Sequence, residues 1–250
     1  MLPESQITLI DMNDDCLDAI FKYLTLKELM SVYGETHVLI DEAVKRQFHR
    51  FRHFECTMRE PPKYGEHKLQ LLGRYLHSIF INVGYSIQAR DALAILKPLC
   101  RGAKESGRLR ALKLQHVTWT SEYVDVILLV ANSLRLLDVS RCAFSVTQLM
   151  SVLNSAPKLH TLKMVSILKT TDEEFSEEEL LQQVRCLIVI NQPLLPPSHP
   201  PSILSQLAEK HKVSIIFYTF PHCDSFTTYG PSLIMRPMAM WHYEYFKDEL

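Results

Sequence analysis

Glycine is scarce, with 7 in 250 residues. That leaves little room for glycine-rich loops that cradle phosphates. Gly102 and Gly107 have P-loop spacing, but Arg108 and Leu109 stand where a lysine and a hydroxyl residue are needed. Long hydrophobic runs are missing too. The longest, Val126 to Ala131, is far short of the roughly 20 residues that span a bilayer, so no membrane partner is expected. No Cys-x-x-Cys pair occurs among Cys16, Cys56, Cys100, Cys142, Cys186 and Cys223, so reduced thiols are expected rather than a disulfide framework or a zinc site. Glu4, Asp11, Asp14 and Asp15 precede any long apolar stretch, unlike a secretory signal, and a cytoplasmic or nuclear location is expected. Net charge is −1, so no overall field selects nucleic acid.

What is abundant is leucine, 36 residues, in a chain that is 47% hydrophobic and 22% charged. This is the balance of a globular protein with a sizeable core. Near the front, Asn13 has the position of an N-cap, with Asp14 and Asp15 in a first turn that favours negative charge. Leu17, Ile20, Phe21 and Leu24 follow at i, i+3, i+4 and i+7, one stripe of a helix. Thr25 and Glu28 are spaced as a capping box for a second helix, carrying Leu26, Leu29, Met30 and Val32 and ending at Gly34. A third helix is expected from Val38 to Phe54, with Leu39, Val44, Phe48 and Phe51 apolar.

The run Met12-Asn13-Asp14-Asp15-Cys16-Leu17-Asp18-Ala19-Ile20-Phe21-Lys22-Tyr23-Leu24, followed by Leu26-Lys27-Glu28-Leu29, resembles an F-box. Met12 and Asn13 stand where that family usually has leucine and proline, Leu39 where an aromatic is common, and the usual Val-Cys step after the second helix is not evident. The resemblance implies a three-helix module over 9–54 that docks on a Skp-family adaptor. The contacts it implies are Met12, Asn13, Leu17, Ile20, Phe21, Leu24, Leu29 and Val32.

Behind it, Leu109-x-x-Leu112-x-Leu114 recurs as Leu134-x-x-Leu137-x-Val139, Leu159-x-x-Leu162-x-Met164 and Val184-x-x-Leu187-x-Val189, each step 25 residues. Flanking copies are Leu76, Ile79 and Ile81 before the array and Val213, Ile216 and Tyr218 after it. A fixed period of this length is the signature of leucine-rich repeats, and Cys142 falls on that motif's Asn/Cys position. Helix-like stretches at Asp91–Ala103, Glu122–Asn132 and Val146–Leu153 separate the triplets, and Ser176 with Glu179 forms a capping box for another. The expected fold is therefore α/β: a short three-helix F-box, then an α/β solenoid of about six degenerate repeats.

A linker over 55–73, a repeat domain over 74–222 and an aromatic tail or cap over 223–250 complete the division. In the strands, Leu112, Leu137, Leu162 and Leu187 should stack inward, leaving Phe80, Lys113, Asp138, Lys163, Ile188 and Phe217 outward. Lys113, Asp138, Lys163, Ile188 and Phe217 are the candidate substrate-binding residues. The acidic run Asp172–Glu179 reads as a loop and helix start rather than a metal site, and Pro193–Pro201 as a rigid loop.

Other signals are weaker. Lys247-Asp248-Glu249-Leu250 matches a lumenal retrieval signal but has no secretory signal before it. His49 and His53 lie four apart among arginines, without the glutamate of a zinc-protease helix, and read as a solvated basic face. The basic stretch containing Lys45, Arg46, Arg50, Arg52, Arg59, Lys63, Lys68 and Arg74 could meet nucleic acid or an acidic partner, but an exposed helix and linker is the simpler reading. No catalytic constellation, metal or cofactor is expected. An F-box followed by leucine-rich repeats resembles the substrate receptors of Skp–cullin–F-box ubiquitin ligases. That resemblance implies a non-catalytic subunit that reaches a cullin through its adaptor and holds an unidentified target protein. The other reading is an interaction scaffold whose front helices only cap the repeats.

Overall fold

The structure, a computed structural model of the chain, describes residues 8–58, 61–84, 89–165, 177–191, 206, 208–219 and 226–229. The chain starts with a 3-10 turn, Leu9–Asp11, then α1 (Asp14–Phe21), α2 (Leu26–Val32) and α3 (Val38–Gln47). The local signals operate as read. The Asn13 side chain accepts the Cys16 N–H at 2.9 Å. Thr25 and Glu28 close a reciprocal capping box. Gly34 takes φ +77° just beyond α2, a left-handed turn that favours glycine.

The third helix stops earlier than its apolar spacing predicts. After Gln47 the chain tightens into a 3-10 turn, Phe48–Arg50, and then extends as β1 (His53–Thr57). Phe54, Cys56 and Met58 are buried at alternate positions, the period of a strand rather than a helix. The competing signal was one further copy of the repeat: Phe51-x-x-Phe54-x-Cys56 lies 25 residues before Leu76-x-x-Ile79-x-Ile81. The stretch 55–73, expected as a linker, thus holds the end of β1 and all of α4 (Glu66–Gly73).

Beyond it strands and helices alternate: β2 (Ser78–Asn82), α5 (Ala89–Ser106), β3 (Ala111–Gln115), α6 (Ser121–Leu128), β4 (Leu136–Asp138), α7 (Val146–Asn154), β5 (Thr161–Val165), α8 (Glu177–Gln183), β6 (Cys186–Asn191), β7 (Ser214–Thr219) and β8 (Phe226–Tyr229). The architecture is α/β. Among the described residues one sheet carries all eight strands in chain order, β1 to β7 parallel and β8 antiparallel on β7. β8 lies in the segment expected to be a tail or cap and covers the β7 edge with four residues. The rest of 223–250, with Lys247–Leu250, lies outside the described residues, as do Ser176, Asp172 and Pro193–Pro201.

The 25-residue period is the pairing register itself. Leu112, Leu137, Leu162 and Leu187 are mutual partners across β3 to β6, and all are fully buried. His116 and Arg141, one period apart, both adopt positive φ, and Thr118 bridges Ala143 at the same spacing. The last step differs. Leu187 pairs with Ile215, so Ile216 falls in the row of Ile188 and Phe217 pairs with Val189. The expectation that Phe217 lies in the outward row was one residue out of register. In a strand, one residue is a change of face.

A single buried cluster runs from Leu17 in α1 to Val213 before β7. Helices α4 and α5 approach at backbone distance. A Cβ on Gly102 would stand 1.8 Å from the Gln70 carbonyl oxygen, and one on Gly73 would stand 2.2 Å from that of Leu99. Gly102 is a helix-packing residue, and Gly107, at φ +62°, ends α5.

Candidate functional site

Where the structure describes side chains, every exposed large apolar one lies in the front helices: Leu9, Ile10, Ile20, Tyr23, Val38 and Leu39. Ile20 is 40% exposed and Tyr23 78%. They sit three apart on the outward side of α1 and just beyond it. The inward side of α1 is Leu17 and Phe21, both buried, with Leu29 of α2 wholly buried beside the same core.

The eight expected adaptor contacts therefore separate. Ile20 and Asn13 are exposed, Met12, Leu24 and Val32 are half-buried, and Leu17, Phe21 and Leu29 belong to the protein's own core. The last three cannot touch a partner without unfolding the module. A motif position records that a residue is apolar, whereas its face depends on how α1 settles against α3. That orientation is set by Arg46, which donates to Asp18 at 3.0 Å and pairs with Asp14 at 3.0 Å, and by Arg50, which donates to the Phe21 and Leu24 carbonyls. Leu9, Ile10, Tyr23, Val38 and Leu39 were missed as candidates; Tyr23, at i+3 from Ile20, was the legible one.

The front module also packs on the start of the sheet. The Phe48 ring lies 5.8 Å from that of Tyr75, and Lys68 Nζ donates to the Met30 carbonyl at 3.0 Å and pairs with Glu35 at 3.0 Å. Much of the basic stretch is engaged within the chain, with Lys45 on Glu42 and Arg74 on Glu105. His49 lies in the 3-10 turn, its Nδ1 against the Arg46 carbonyl, while His53 lies in β1 with Nδ1 2.7 Å from Ser78 Oγ. They do not share a helix. Among the described residues no cluster could hold a metal ion, and no helix is long and apolar enough to cross a membrane.

On the sheet, register aligns Glu55, Phe80, Lys113, Asp138, Lys163, Ile188 and Ile216 in one row. Lys113 Nζ lies 4.1 Å from the centre of the Phe80 ring, and burial lowers its pKa to about 8. Asp138 is 3% exposed. It accepts from Ser140 N at 3.0 Å and Ser140 Oγ at 2.6 Å, and pairs with Lys163 Nζ at 3.2 Å. Of the five expected substrate contacts, Asp138 and Lys163 thus satisfy each other. Ile188 is placed by its backbone, and Phe217 leaves the row. Burial pushes the thiols of Cys100 and Cys142 up to about 12 and that of Cys186 up to about 11, which suppresses the nucleophilic thiolate.

No protein-family model matches the chain, and no curated protein matches it significantly.

Proposed function

We propose that the protein is the substrate-recognition subunit of a Skp–cullin–F-box ubiquitin ligase. In this reading the front helices dock on the Skp-family adaptor, and the sheet behind them is a leucine-rich-repeat solenoid that holds a target protein. The observation that carries it is Ile20: an apolar residue of the F-box-like motif left 40% exposed, with the other exposed large apolar side chains among the described residues lying in the same module. Concentrated apolar exposure marks a protein contact surface. The repeat reading is supported by the 25-residue register and by Cys142, whose Sγ donates to the Leu114 carbonyl of the preceding strand at 3.2 Å. Such a subunit contributes no catalytic group. It raises the effective concentration of target lysines near the recruited conjugating enzyme.

The test is co-purification of adaptor and cullin with the intact chain and with I20D/Y23D, both positions being exposed. Loss of both partners with unchanged melting is expected; retained binding overturns the reading. A scaffold whose front helices only cap the sheet has in its favour the Phe48–Tyr75 packing and the Lys68 contacts to Met30 and Glu35. It leaves Ile20 and Tyr23 without a purpose, and it is the reading that retained binding of neither partner by the intact chain would select.

A further inference from the structure

Beside the α4–α5 contact lies a cavity of about 410 Å³, a volume usual for small-ligand sites. Arg74 and Tyr75, just past the end of α4, line one part of it. Glu105, Ser106 and Arg108, at and beyond the end of α5, line the other. The lining is polar: two guanidinium groups, one carboxylate and two hydroxyls.

The groups that would repel an anion are already occupied. Glu105 accepts from Gln70 Nε2 at 2.6 Å through one oxygen and from Arg74 Nε at 2.7 Å through the other. The carbonyls that end the two helices are covered as well. Those of Leu71 and Leu72 accept the Arg74 and Tyr75 N–H groups, and that of Ala103 accepts the Gly107 N–H and the Ser106 hydroxyl. Arg74 holds Glu105 through Nε, which leaves its two terminal nitrogens to the cavity. Among the described residues Arg108 meets no carboxylate. The surroundings are positive too. His77, two residues after Tyr75, has its pKa held below the ordinary value by burial and then by Arg52, His53, Arg108 and Arg110.

We propose that this cavity binds a phosphate monoester, its oxygens held by the terminal nitrogens of Arg74 and by the Arg108 guanidinium. Two planar forks suit a group with three terminal oxygens and nearly two negative charges at neutral pH. A carboxylate or a nucleic-acid phosphodiester offers two free oxygens and one charge, too little to engage both forks. The site lies outside the front helices and holds whether or not they meet an adaptor. The phosphate can arrive on a serine side chain of a partner or on a free small molecule, and two titrants separate these sources.

The experiment is isothermal titration of the intact protein, at constant ionic strength, with inorganic phosphate and with a glycine pentapeptide carrying phosphoserine at its centre. The same peptide with plain serine is the blank. The variants are R108A, R108K and K104A; Lys104 is exposed near the end of α5 and does not line the cavity. Saturable binding of a phosphate-bearing titrant is expected, weakened at least about tenfold in R108A and less in R108K, which keeps the charge without the fork. K104A should change it within about twofold. The tighter of the two titrants identifies the source. Arg108 is exposed, so R108A should melt as the intact protein does. No binding of either titrant, equal binding of the serine peptide, unchanged binding by R108A, or equal losses in R108A and K104A overturns the proposal.

Discussion

Ile20 and Phe21 are consecutive in α1, about 100° apart around the helix, and are 40% and 3% exposed. A charge at Ile20 enters water, so I20D should change stability by no more than about 0.5 kcal/mol. F21A removes a ring from the core and should cost about 3–5 kcal/mol. Thermal melts of the two variants, run before any binding assay, check this difference.

Asp138 and Lys163 are a largely desolvated pair between β4 and β5. D138A should destabilise by about 3 kcal/mol, because the half-buried ammonium and the Ser140 donors lose their acceptor. D138L/K163M removes both charges and should recover most of that loss. A denaturant double-mutant cycle measures the coupling, and equal stability of the single and double variants would contradict it.

G102A tests the α4–α5 contact. The added methyl meets the Gln70 carbonyl, and only separation of the helices relieves the clash. A loss of about 1–3 kcal/mol is expected. The same change at Gly65, an exposed N-cap with only the His67 ring nearby, should be much milder.

His53 and His77 are held below their ordinary pKa of 6.5, first by burial and then by Arg52. The unfolded chain therefore binds protons below pH 6.5 that the folded chain does not. Stability from these groups is fully present above pH 6.5 and is lost as pH falls through their lowered folded-state values. Melting temperature should drop between neutral pH and the mildly acidic range, and H77Q should flatten that dependence. A slope unchanged by H77Q would assign the effect elsewhere.

The repeat was legible because a fixed spacing of apolar residues needs no knowledge of the rest of the chain. Leu112, Leu137, Leu162 and Leu187 become mutual neighbours once each strand pairs with the next. The copy at Phe51–Cys56 was hidden by a helical spacing that ended in the same residues, and the shift at Ile215 by the longer step between β6 and β7.

Composition, caps and period were thus enough to determine that the chain makes a capped helical front and an α/β array, since each depends on local hydrogen bonds and on burying apolar residues at a regular interval. Which apolar residues stayed outside was settled only by packing. Ile20 and Phe21 are both apolar in the sequence, and the seating of α1 on α3 and the turn after it, through Arg46 and Arg50, left one outward. The Asp138–Lys163 pair likewise exists only because parallel pairing sets residues 25 positions apart side by side, at a distance where their charges act together.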